Sequence, residues 1–517
     1  DYIRPDLAEI VERRAATHDE NRPEATERRH SLGQRTVEEN VNDLFDPGTV
    51  IEYGPAVLAA QARRRSLEEL IDKSPRDGMI TAVGSVNGDR FPDPVNRVAT
   101  IAYDYTVFAG TQGNRNHSKT DRMVQVARNA RLPLVLFAEG GGGRPGDTDN
   151  TDHMQRTFSQ FATLSGLVPM VGITTGRCFA GNASLLGCCD VIIATKDAHI
   201  GMGGPAMIEG GGLGVFAPEE IGPMSVQVPN GVVDILVEDE AEAVAVTKQH
   251  LSYFQGRVTD WEAPDQREMR RIVPENRLRV YDIRRVIETL ADVDSVLEIR
   301  RGFGAGMVTS LLRVEGYPLG IVANNPMHLG GAIDSDAADK AARFLQLCDA
   351  FDIPVLFLCD TPGIMVGPEV ERTALVRHAN RLFLVGANLE TTFMTIILRK
   401  AYGLGAIAMA GGNYREPSFT VSWPTGEFGG MGLEGAVKLG YRNELAAIED
   451  PTERRERYEQ MVAEQYRRGR ALNQATRFGI DDTIDPAESR AWVANTLKAA
   501  KPPLPREGKK RPFVDGW

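Results

Sequence analysis

The chain contains itself twice, and that limits its possible folds more than any other feature. Gly176-Arg177-Cys178-Phe179-Ala180-Gly181-Asn182-Ala183 follows the apolar run 168–174, and Arg399-Lys400-Ala401-Tyr402-Gly403-Leu404-Gly405-Ala406 follows the run 392–398. The octets align without a gap, 399 − 176 = 223 residues apart. Upstream, 353–357 (IPVLF) copies 132–136 (LPLVL) at an offset of 353 − 132 = 221. Each of these runs enters a Gly-rich turn, 139–143 in one half and 360–363 in the other. Solenoid repeats have periods of about 20–50 residues, so this spacing predicts two related domains. We expect boundaries of 1–275 and 276–517, with the polar, Pro-containing segment 257–275 between them.

Around the octets, apolar runs alternate with helical periodicities, the pattern of an α/β fold. Strands are expected over 80–86, 97–103, 132–138, 168–174, 307–314, 318–323, 354–359 and 392–398. Helices are expected over 7–16, 37–44, 67–71, 118–130, 152–167, 238–253, 335–351, 371–386 and 449–471, with a last one ending near Ala500. The stretch 201–214 reads as a Gly-rich loop. Small residues at a strand-to-helix junction let backbone N–H groups approach a ligand, and such amides can hold a developing negative oxygen. Two copies suggest two anionic intermediates held in one reaction.

A chain of 517 residues can build two full cores. A net charge of −12 argues against a nucleic-acid surface. Five Cys in or beside apolar runs, without zinc-site spacing, suit buried thiols in a reducing compartment, and no metal is expected. No apolar run approaches ~20 residues and no signal peptide is visible. These readings place the protein in the cytoplasm, with the mitochondrial matrix as the alternative, away from membranes. The chain begins at Asp1 rather than Met, which suggests trimming or excision from a longer polypeptide, with 1–29 as a tether and the tail from Lys501 loose.

The octets, with His30 to Arg35, Asp46-Pro47-Gly48, Ala323-Asn324-Asn325-Pro326-Met327, Lys340-Ala341-Ala342-Arg343-Phe344, Asp360-Thr361-Pro362-Gly363 and Ile484-Asp485-Pro486-Ala487, occur in the order of a known family. Over about 5–500 the chain resembles the carboxyltransferase subunits of biotin-dependent acyl-CoA carboxylases, of the propionyl-, methylcrotonyl- or long-chain acyl-CoA type. The resemblance implies two tandem crotonase-like ββα-spiral domains, an acyl-CoA site in the first and a carboxybiotin site in the second. It implies a hexamer built as a trimer of dimers, the active site lying between one chain's first domain and its partner's second. It also implies a biotin carboxylase and a biotin carboxyl carrier, on a separate subunit or an upstream part of the same polypeptide. Many members have Gly-Gly where this chain has Gly181-Asn182, and Gly-Ala or Ala-Gly where it has Leu404-Gly405. Those changes alter the room beside the turns more than the amides.

The reaction so implied passes through enolates. One oxyanion hole is assigned to the N–H groups of Gly181 and Asn182, flanked by Ala180, and the other to Leu404 and Gly405. Gly140 and Gly141 line the acyl-CoA site, with Arg144 kept as the family's turn arginine. Gly403 and Ala406 face biotin, Tyr402 braces its turn, and Ile407 is a candidate acyl-pocket wall. Lys119, Arg144 and Arg177 are candidate cations for CoA phosphates. The bound reagents supply both base and electrophile, so no side-chain base is required and single changes at His117, His199 or His328 should slow turnover without abolishing it. Hydratase chemistry needs two glutamates, which would align at Ser184 and Ala206, and both are missing. A biotin-dependent acyl-CoA decarboxylase is the alternative reading. A non-catalytic scaffold is disfavoured by two intact turns.

Overall fold

The computed structural model describes residues 3–147, 156–501 and 506–517. They form two compact units. One runs to Gly256 and includes Glu507–Gly516; the other starts at Arg257 and includes Trp517.

The first unit contains β1 (Ile51–Glu52), β2 (Met79–Ser85), β3 (Arg97–Tyr103), β4 (Leu134–Phe137), β5 (Gly140–Gly141), β6 (Met170–Thr174), β7 (Arg177–Phe179), β8 (Val191–Thr195), β9 (His199–Gly201) and β10 (Ile235–Val237). Its main sheet has the order β1-β2-β3-β4-β6-β8-β10. The β1-β2-β3 pairings are antiparallel and the rest are parallel. The central strands are buried apolar runs such as Leu134-Val135-Leu136-Phe137, as expected of parallel strands covered on both faces. Beyond their C-terminal ends the chain crosses into a small parallel sheet, β5-β7-β9.

The second unit contains β11 (Leu297–Ile299), β12 (Met307–Val314), β13 (Tyr317–Asn324), β14 (Val355–Thr361), β15 (Phe393–Tyr402), β16 (Thr420–Ser422), β17 (Glu427–Gly429) and β18 (Asp482–Thr483). Its order is β11-β12-β13-β14-β15-β16-β18, with β17 on β15. The pairings repeat those of the first unit: Ala99 opposite Leu134 becomes Gly320 opposite Val355, and Leu134 opposite Met170 becomes Val355 opposite Phe393. Strands β14 and β15 run on where the first unit breaks into β4 then β5 and β6 then β7. A register shift between Cys359 and Thr361 takes the place of the break.

The helices cover these sheets. Asn114–Ala130 buries Met123, Val124 and Ala127, and its counterpart Ser335–Ala350 is buried at every position but Asp336. A lysine recurs inside both: Lys119 Nζ donates to Arg76 O at 2.8 Å, and Lys340 Nζ to Phe303 O at 2.9 Å. Helix Pro451–Gly469 is capped by Asp450, whose carboxylate accepts the N–H groups of Thr452 and Glu453.

Several expectations change. The segment 257–275 is no linker, because Met269, Ile272 and Val273 lie in the core of the second unit. The segment 18–29 is no tether: helix Pro23–His30 forms there, and Arg22 pairs with Asp104 at 2.9 Å. The described tail is packed, with Val514 buried and its N–H donating to Ser165 Oγ at 3.0 Å. The helix expected over 152–167 is Thr157–Ala162; residues 152–155 lie outside the described residues. Within 201–214 the helix Pro205–Gly210 forms, with Pro205 at its first position, where a missing N–H costs nothing.

Candidate active site

In the first unit, β7 hands over to the short helix Gly181–Leu186 through Ala180, at φ 51°, ψ −122°. In the second, β15 hands over to Gly403–Ala408, and Gly403 has φ +57°. The same left-handed turn thus starts both helices. A helix start leaves its first N–H groups without internal partners. In each half, one such amide is open. Gly181 is half-buried and Leu404 is 63% exposed, and neither N–H has an acceptor among the described residues.

The neighbours assigned to the same holes behave differently. Asn182 is completely buried, and its Nδ2 donates to Gly110 O at 3.1 Å and Glu139 O at 2.7 Å. Its side chain clamps two turns to the helix start, and its backbone N–H, which also has no acceptor among the described residues, is buried. Its counterpart Gly405 is buried, with its Cα side against Gly363; a Cβ there would fall 2.7 Å from Gly363 Cα. The Ala180 N–H donates to Gly201 O at 3.2 Å.

Beside Gly181 lies a cavity of about 270 Å³, lined by Ala109, Gly140, Gly141, Arg177, Ala180 and Met207 among others. Gly140 and Gly141 both line it. Gly140 has φ +91°, and a Cβ on it would sit 2.3 Å from Ala109 O, so only glycine lets these turns meet. Ala109 is an addition. It is exposed on the cavity and its N–H has no acceptor among the described residues. The octet search could not find it, since its turn lies 181 − 109 = 72 residues upstream of Gly181. Its counterpart in the second unit is Gly330 (φ +63°), whose N–H likewise has none.

The cations sort cleanly. Arg177 lines the cavity and pairs with Glu219. Arg144 does not reach it. It is buried, ion-paired to Asp77 and to Asp147 (3.4 Å), donates to Thr111 O at 3.0 Å, and lies over the Phe108 ring at 4.9 Å. Lys119 is also interior, and burial lowers its pKa to about 8. Both were misplaced because a basic residue near a Gly-rich turn can point inward as readily as outward.

In the second unit, Tyr402 is buried and donates to Glu427 Oε2 at 2.8 Å, so it braces the turn from the interior. Ala406 is fully buried and Ile407 half-buried. Beneath the turn, buried Asp360 gathers Tyr281 OH (2.9 Å), Arg399 (3.0 Å) and the Lys400 N–H (3.1 Å). His117 is buried against Thr157, and His328 Nε2 sits 3.2 Å from Asp334. Ser184 turns its hydroxyl back to Ala180 O, and Ala206 lines the cavity, so the two positions of a hydratase carry no carboxylate.

Each domain of the pair leaves a helix-start amide accessible and unengaged, the kind of donor that can hold a developing oxyanion. The chain belongs to the carboxyl transferase family, whose domain model matches residues 28–507. It is 31% identical over 488 residues to the methylmalonyl-CoA carboxyltransferase 12S subunit of Propionibacterium freudenreichii subsp. shermanii, covering 91% of this chain and 90% of that one. Among solved structures, it is similar to a single-chain, multi-domain long-chain acyl-CoA carboxylase (TM-score 0.91, 57% identity, 96% of this chain). It spans about half of that longer polypeptide, 49%. It is also similar to the hexameric transcarboxylase 12S with methylmalonyl-CoA bound (TM-score 0.84, 28% identity, 98% of each chain). Both units are thus tandem domains of the carboxyltransferase type.

Proposed function

We propose that the chain transfers a carboxyl group between biotin, on a carrier, and the α-carbon of an acyl-CoA. The observation that carries this reading is the equivalence of Gly181 and Leu404, two open amides in one duplicated position. We assign the thioester oxygen to the N–H groups of Gly181 and Ala109, and the biotin ureido oxygen to those of Leu404 and Gly330. Both pairs are unengaged donors at left-handed turns, which fits an incoming anionic oxygen. Removing one such donor typically costs about 3–4 kcal/mol of transition-state stabilisation. Carboxybiotin, when bound, supplies the carboxyl group and then the base. The chain's own residues hold the reacting groups, and we assign the CoA phosphate to Arg177, which lines the cavity.

The acyl group is taken to be long. Support comes from the 57% identity to a long-chain enzyme and from the exposed Met202, Met207, Leu213 and Val215 in the segment that borders the cavity. A biotin carboxylase and a carrier, on other subunits or in the same polypeptide, would complete the reaction. The hexamer of the 12S relative supports a like assembly here. No helix among the described residues is long and apolar enough to cross a membrane, and none of the five cysteines forms a disulfide, which suits the cytosol. The test is turnover from acetyl-CoA to long-chain acyl-CoA with carboxybiotin supplied. Long chains should lead in kcat/KM by at least about tenfold. No turnover with any acyl-CoA would refute the reading.

A further inference from the structure

The two halves hold their Gly-rich turns in different ways. In the second unit, Asp360 opens the turn and its buried partner is Arg399, at the first position of the octet. The matching position in the first unit is Gly176, which has no side chain. A Cβ there would lie 2.4 Å from Glu139 Oε1, and the nearest atoms it would meet all belong to Glu139. Glu139 is the counterpart of Asp360, one methylene longer. Its carboxylate fills the place that an octet side chain would take and meets Arg29 Nη1 at 2.8 Å. Arg29 comes from helix Pro23–His30 and is itself buried, with Nε donating to Arg35 O at 2.9 Å and Nη2 lying 3.4 Å from Glu240. Glu240 accepts the Arg35 N–H at 2.9 Å, which closes the group. Burial raises the pKa of Glu139 and Glu240, and Arg29 opposes the rise in both.

Glu139 is anchored at both ends. Asn182 holds its carbonyl at 2.7 Å and Arg29 its carboxylate, and the next residues, Gly140 and Gly141, line the cavity. We infer that Arg29 is a positioning residue for the acyl-CoA site, replacing from the N-terminal segment the cation that the second unit draws from its octet. This rests on the reading of the first unit as the acyl-CoA side. Arg29 touches no substrate; it acts through Glu139 on the turn.

The test compares Arg29→Met with the triple variant Arg29→Met, Glu139→Asp, Gly176→Arg, which rebuilds the Asp360–Arg399 arrangement in the first unit. Hydrogen exchange is followed in peptides covering 139–142, 177–180 and 403–408. Kinetics are measured with carboxylated acyl-CoA as donor and free biotin as acceptor. Arg29→Met should speed exchange at least tenfold in the first two peptides and leave 403–408 unchanged. It should lower kcat/KM for the acyl-CoA at least tenfold with the KM for biotin within twofold of the parent. The triple variant should slow the exchange again and recover most of the lost kcat/KM. Parental exchange and kinetics in Arg29→Met would overturn the inference. So would equal losses toward acyl-CoA and biotin, or a triple variant as mobile as the single one. If the parent itself turns over no acyl-CoA, the functional reading fails, and the exchange data still decide the role of Arg29.

Discussion

Gly181 stands where a Cβ would fall 2.1 Å from Gln112 Oε1, and Gln112 is buried with its Nε2 3.0 Å from Tyr103 OH. Gly181→Ala should therefore push Gln112 into the hole. We expect kcat to fall about 10²–10³-fold, the loss of one oxyanion donor, with the KM for biotin unchanged. One residue upstream, Ala180 adopts a backbone conformation that ordinarily needs glycine, and Gly403 is its counterpart. Such strain costs on the order of 1–3 kcal/mol. Thermal melts should show Ala180→Gly raising stability and Gly403→Ala lowering it, opposite signs at equivalent places. His250 concerns acid stability. It is fully buried, neither ring nitrogen has a hydrogen-bond partner, and burial lowers its pKa from 6.5 to about 4. The unfolded chain then binds the proton more readily, so stability present above pH 6.5 is lost as pH falls toward 4. The loss is on the order of 3 kcal/mol. His250→Leu should flatten that slope in denaturant titrations at pH 7 and pH 4.5.

At the scale of elements, each Gly-rich turn is clamped by one buried asparagine, from opposite sides. Asn182, at a helix start, donates to Glu139 O; Asn324, at the end of β13, accepts the Asp360 N–H at 3.1 Å. Their counterparts in the other half are Gly405 and Tyr103. Asn182→Ala leaves two carbonyls without this donor and should cost about 2–4 kcal/mol in denaturant unfolding. The strands and long helices were legible because their apolar periods are set locally: Arg97–Tyr103, Val37–Leu44 and Met307–Val314 match the reading residue for residue. The small sheet was not, since two- and three-residue strands such as Gly140–Gly141 and Arg177–Phe179 carry no period. Helix Pro23–His30 was passed over because its one buried residue is an arginine, Arg29, whose partner Glu139 lies 110 residues away.

For the whole molecule, duplication is what made function readable. One open turn would have been an ordinary tight bend; two at matched places, with matched strand registers, support the proposed reaction with two oxyanions. The sequence put its candidate amides at bends that the structure makes into helix starts; Gly181 and Leu404 are the more accessible of them, and Asn182 and Gly405 are buried. Asn182 and Gly405 are buried, so we propose that the second donor comes from another loop, Ala109 in one half and Gly330 in the other. The most direct test is therefore to delete a single amide. Leu404 lies in the first helical turn, where proline is tolerated. Leu404→Pro removes its N–H, and Leu404→Ala removes only the side chain. Steady-state rates of carboxyl transfer to biotin should fall about 10²–10³-fold in Leu404→Pro and stay near the parent in Leu404→Ala, with both melting normally. A fully active, folded Leu404→Pro, or equal losses in the two variants, would contradict the account.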